Sequence, residues 1–246
     1  VSPPGTAYSC ICVAAFAGSS SVGPTLDNGR CKPDITAPAG ATSFSTPQVA
    51  GAAAVLMQAG LRGDGGSDTN AAFDMRTVKA LLLNGAVKPL NWTNSDVFPL
   101  DARYGAGVLN VFNSYRQLAG GKQNNCVTNL ILLDAVHPPA TATNTIPVNQ
   151  AWDFNTITSS AINDAVIHYL FDVSNGTATA TLVWNRQFGQ TNPAQLVNDL
   201  DLYLYRCSDS NLVASSISYV NNVEHLWVTN LPAGRYDLQV VKYCGI

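Results

Sequence analysis

Residues 47–58, PQVAGAAAVLMQ, constrain the fold more than any other stretch of this chain. They carry the strongest helix pattern in the sequence, and they are apolar nearly all round. Such a helix must be surrounded by protein, and Ala50, Gly51, Ala52, Ala53 and Ala54 let neighbouring backbones come close. Pro47 suits a first-turn position, where its missing N–H leaves nothing unpaired. Gly60 suits the terminator. Upstream, YSCICVAAFA at 8–17 is an apolar run without polar alternation. That is the pattern of a strand buried on both faces, which belongs to a parallel sheet flanked by helices.

The helical texture continues to about residue 122. MRTVKALLLNGA sets Val78, Leu81 and Leu82 on one face, GSDTNAAFD before it reads as a surface loop, and GVLNVFNSYRQLA reads as a further helix. GGKQNN then reads as a linker. Beyond it, DAVIHYLFDVS, ATATLVWN, LVNDLDLYLY, VEHLWVTNL and GRYDLQVVKY are short β-rich runs between turn residues. Strands at this spacing without a helix signal indicate an antiparallel sandwich or jelly roll. The expectation is an α/β domain over 1–122 and an all-β domain over 123–246.

Composition narrows the function classes. With 12% charged residues and a net charge of -3, the chain has no basic block to neutralise phosphates, which argues against a nucleic-acid partner. No apolar run reaches the roughly 18 residues of a membrane span. The six cysteines lack metal-type CxxC spacing, so zinc is not expected, and their even number suits disulfides in an oxidising, extracellular compartment. Three lie in each half, so the halves cannot each be internally paired. The triplets Asn91-Trp-Thr and Asn175-Gly-Thr permit N-glycosylation.

Directly before the small-residue helix stands GATSFS, residues 40–45. Ser43 there has two readings. A hydroxyl just ahead of a helix is an ordinary N-cap. It is also well placed for a nucleophile, because a helix head carries unpaired N–H groups and positive potential that suit a developing oxyanion. The neighbouring blocks weigh on the choice. KPDITAP at 32–38, ATSFSTPQVAG at 41–51 and YGAGVLN at 104–110 follow one another in order.

Together these blocks resemble the subtilisin-like serine proteases, the subtilases, whose pattern G-T-S-x-[AS]-[ST]-P-x-V-A-G aligns with Ala41 to Gly51. The resemblance spans about 8–119, the C-terminal part of the catalytic domain, and implies that Ser43 is the nucleophile. Ala41 stands where the family usually has Gly, and Gln48 where it often has His. The family also implies a triad in the order Asp, His, Ser, with an oxyanion-hole Asn before the serine. This chain has no histidine ahead of Ser43; Asp27, Asp34 and Asn28 lie in the loop and KPD block rather than in triad motifs. His137, His168 and His225 all fall in the β part and read as ordinary packed or surface residues.

The expected function is therefore a secreted serine endopeptidase acting on polypeptides, of which these 246 residues are a part. Its partner would be the N-terminal half of the catalytic domain. The isolated chain should be inactive, since in subtilisin itself losing the histidine alone costs roughly 10⁶ in kcat. Leaving about 500 Å² of the alanine-rich helix wet would forgo roughly 12 kcal/mol. The rival expectation is a non-catalytic binding or structural protein built on a degenerate protease half. The β part resembles the jelly-roll domains that follow many subtilase catalytic domains. No cofactor is required. Asp199 and Asp201 share a strand face and could contribute to a calcium site, although a solvated face is the plainer reading. Trp184, Trp227 and Tyr236 read as packing aromatics.

Overall fold

A computed structural model describes residues 1–126, 131–132, 145–147, 149–157, 165–186 and 198–243. The chain divides into two compact units, Val1–Lys122 with Asn149–Phe154, and Gln123–Val148 with Asn155–Ile246. Asn149–Phe154 differs from the sequence expectation, which placed it with the β part. It joins the first unit because Trp152 is buried and its indole N–H donates to Leu118 O at 3.0 Å.

In the first unit, β1 (Val13–Ala15) pairs in parallel with β2 (Ile35–Ala37), Val13 opposite Ile35. The apolar run at 8–17 is thus a strand only at its centre. Helices α1 (Thr42–Arg62), α2 (Thr69–Phe73), α3 (Met75–Asn84) and α4 (Val111–Ala119) follow. The 66–74 segment is not the plain loop its composition suggests. Asp68 accepts the Ala71 N–H at 3.1 Å, and this cap starts α2. Residues 107–110 are not helical either. Thr36 N–H donates to Gly107 O at 2.9 Å and Leu109 N–H to Thr36 O at 2.8 Å, so this stretch runs beside β2 until Asn110 caps α4.

The helix boundaries of α1 also depart from the sequence reading. Its N-cap is Ala41, which puts Pro47 in the second turn, and its C-cap is Gly63 at φ 91°, not Gly60. Gly60 is instead a packing residue. A Cβ there would sit 3.0 Å from the Ala72 carbonyl carbon, so with any larger residue α2 would have to shift by a few tenths of an ångström where it crosses α1. Nor is α1 buried all round. Ser45, Val49, Ala52, Leu56, Ala59 and Gly60 face the core, while Phe44, Val55, Met57 and Leu61 are exposed. Ile35, Leu56, Leu81, Leu82, Leu83 and Leu118 are fully buried in this unit.

The second unit contains β3 (Ile131–Leu132), β4 (Ala165–Val173), β5 (Gly176–Val183), β6 (Asp199–Arg206), β7 (Asn211–Ser216), β8 (Val223–Leu231) and β9 (Gly234–Tyr243). One sheet runs β3-β4-β9-β6-β7 and a second pairs β5 with β8, all antiparallel. The period of two in LVNDLDLYLY becomes physical here. Leu202 and Leu204 point into a core with Ile167, Leu226, Leu231, Tyr236 and Val240, and the intervening Tyr203 and Tyr205 take the other face. Tyr236 stacks on Phe171 with ring centroids 6.1 Å apart, and its hydroxyl donates to Pro232 O at 2.9 Å.

The disulfides expected from the even cysteine count are not present among the described residues. Cys10, Cys12, Cys126 and Cys207 carry free thiols, and Cys244 lies outside the described residues. Burial pushes the Cys12 and Cys207 thiols up to about 11, so neither is a ready nucleophile.

Candidate active site

Ser43 is the second residue of α1 and is exposed. It does not cap the helix. Ala41 is the N-cap, in extended backbone at φ −149° and ψ 151°, and no side chain bonds the helix head. The alanine in place of the family's glycine is therefore unstrained, since any residue adopts that conformation. Phe44 and Ser45 both donate their N–H groups to Ala41 O, at 3.0 and 3.1 Å. The N–H groups of Thr42 and Ser43 come before the first intrahelical donor and give the helix head its positive potential. Pro47 has no N–H to return to the Ser43 carbonyl four residues back. Among the described residues, the Ser43 hydroxyl has no hydrogen-bond partner.

The helix head is held from below. Ser45 is fully buried and its hydroxyl donates to Ala37 O, the last residue of β2, at 3.2 Å. Phe16 and Ala17 extend the parallel pairing past β1 by donating to Ala37 O and Ala39 O, each at 3.1 Å. Gly18 is needed at that point, because a Cβ would sit 1.9 Å from Gly40 O. Ser43 is thus presented on a turn clamped between two strand ends and a buried hydroxyl. Sequence reasoning passed over Ser45, whose signal was its place on the buried side of a helix.

Asp34 of the KPD block is structural rather than catalytic. Its Oδ2 accepts the Cys12 N–H at 2.6 Å and Lys32 Nζ at 2.7 Å, and its Oδ1 meets Lys79 Nζ at 3.0 Å. Burial alone would raise its carboxyl, but Lys79 and Lys32 outweigh burial and hold it below 3.8. Lys79 was legible only as a lysine inside the apolar run of α3. It also donates to Cys10 O at 3.0 Å. Asp27 pairs with Arg30 at 2.7 Å, and Asn28 donates to the Tyr8 hydroxyl at 2.8 Å, so both stay in their turn.

Neither described histidine offers a proton acceptor to solvent. His168 is fully buried with Nδ1 2.7 Å from Asp237 Oδ2, and His225 is fully buried with Nδ1 2.7 Å from the Thr181 hydroxyl. His137 lies outside the described residues. Asp199 is committed to Arg186 Nη1 at 3.2 Å, and among the described residues no three His, Cys, Asp or Glu side chains gather as a metal site would need. No helix among the described residues is long and apolar enough to cross a membrane.

The model of the subtilase family matches residues 1–107. That stretch of the chain is similar to the subtilases. The match takes in the KPD block and the whole of α1 and ends inside YGAGVLN. Within the matched stretch, a parallel strand pair leads into a helix that bears an exposed serine near its head.

Proposed function

We propose that this chain carries the nucleophile of a subtilisin-like serine endopeptidase at Ser43. The observation that supports this reading best is the placement of that hydroxyl. It is exposed and unbonded at the head of α1, inside the segment that matches the subtilases. In the reaction, Ser43 Oγ attacks the peptide carbonyl and its proton passes to a histidine, while the Ser43 N–H donates to the oxyanion. A histidine and an aspartate from outside these 246 residues complete the triad, and the isolated chain does not turn over.

The apolar face of α1, with Phe44, Val55 and Leu61 exposed, is where the complementary part of the domain docks. The β unit is a jelly-roll-like accessory domain that stabilises the protease or positions it on its polypeptide substrate, and the complete protein works outside the cell. A fluorophosphonate probe with peptide mass spectrometry tests the assignment. The complemented enzyme should be labelled at Ser43 and the isolated chain left unlabelled. Labelling of the complemented enzyme at another serine, with Ser43 untouched, would rule the assignment out.

A further inference from the structure

Of the 16 acidic residues in this chain only one is a glutamate, Glu224, and it is completely buried. It is the second residue of β8, opposite Leu182 of β5. Its carboxyl reaches back under the 217–222 loop that joins β7 to β8. Oε1 accepts the Ser218 N–H at 2.9 Å, and Oε2 is bonded to the Ser216 hydroxyl, which also accepts the His225 N–H at 3.1 Å. The loop is held from its other side by Arg186. That guanidinium donates to Asn221 O at 2.7 Å and to Tyr219 O.

The charged surroundings of Glu224 are one-sided. From β6 come Asp199, Asp201 and Tyr203, whose hydroxyl is 3.4 Å from Asp201 Oδ2. Arg186 is engaged with Asp199 at 3.2 Å and with the loop carbonyls. His225, next along β8, turns to the other face of its sheet and bonds Thr181. Among the described residues, no cation pairs with Glu224. A buried carboxylate beside two others and without a cation is strongly disfavoured.

We infer that Glu224 is a proton-operated latch on loop 217–222, closed while its carboxyl is neutral and loosened when the carboxyl gives its proton to water. In the closed state the Ser216 hydroxyl donates to Oε2 and the Ser218 N–H donates to Oε1. Loss of the proton leaves a negative charge facing Asp201 and Asp199, and hydrating it requires water to enter where the two serine contacts hold the loop. Burial, with Asp201 and Asp199 adding to it, pushes the Glu224 carboxyl well above the ordinary 4.5, against the two hydrogen bonds.

The single glutamate makes the test direct. The full chain is made by cell-free synthesis with carboxyl-labelled glutamate, and the Glu224 signal is titrated by carbon NMR. Amide exchange of residues 217–222 is followed over the same pH series, corrected for intrinsic rates. The latch requires a midpoint well above 4.5 and a loss of loop protection that coincides with it. In Glu224→Gln that coincident step should be lost. A midpoint at or below 4.5 overturns the proposal. So does loop protection that ignores a raised midpoint, or a step that survives in Glu224→Gln. The carboxyl titration uses the unaltered protein, so it stands even if the variant does not fold.

Discussion

Two serines two residues apart, Ser43 and Ser45, show how burial separates roles that look alike in sequence. Ser43 is exposed and bonds nothing described, so Ser43→Ala should change stability by no more than about 0.5 kcal/mol, as surface substitutions usually do. The same change should abolish probe labelling of the complemented enzyme. Ser45→Ala removes a buried donor to Ala37 O and should cost about 0.5–1.5 kcal/mol in urea unfolding. Asp34 is the more consequential residue. Its removal leaves Lys32 and Lys79 buried without their counter-charge, a change that typically costs about 3–5 kcal/mol. A denaturation midpoint of Asp34→Ala close to that of the unaltered chain would show that water already solvates the cluster.

At the scale of elements, α1 is the informative one because its two faces make opposite demands. The core face needs Gly60. Gly60→Val would push a side chain into the Ala72 backbone and should destabilise the chain by roughly 1–3 kcal/mol, the usual cost of overpacking. The outer face has no such demand in this chain. Phe44, Val55 and Leu61 are exposed, so replacing Val55 and Leu61 with lysine should raise solubility and leave the melting temperature of the isolated chain unchanged. The same pair should block complementation by the rest of the protease domain. Preserved complementation would show that this face is not the docking surface.

Over the whole molecule, the two units should respond to pH in opposite senses. Asp34 is held below its ordinary 3.8, so it contributes stability to the first unit above that value. This contribution is lost as pH falls through the lower folded value, because the unfolded chain takes up the proton first. Glu224 is raised well above 4.5. Between 4.5 and that higher value the folded β unit keeps a proton the unfolded chain has released, so its stability falls as pH rises. Hydrogen exchange resolved by peptide, run from acid to neutral pH, should show protection of α1–α3 growing and that of β7–β8 shrinking. Parallel trends in both units would contradict the assignment of these two carboxyls as the governing groups.

Much of this was written in local pattern. The period of two in LVNDLDLYLY and the leucine face of α3 each fix a local geometry and reappear in space as the sequence implied, whereas the serine block lies inside the head of α1 rather than before it. What the sequence left open depended on contacts between distant residues. Gly60 looked like a terminator because a glycine after an apolar run usually is one, and only the crossing of α2 shows it to be a packing site. Residues 107–110 were drawn into a helix by their composition, whereas β2 holds them extended. Lys79 and Asp34 are 45 positions apart and Glu224 and Asp201 are 23 apart, so neither pairing leaves a mark on local periodicity. The chain alone determined where hydroxyls, helices and strands would form; the tertiary fold decided which polar groups lost their water, and that loss sets their chemistry.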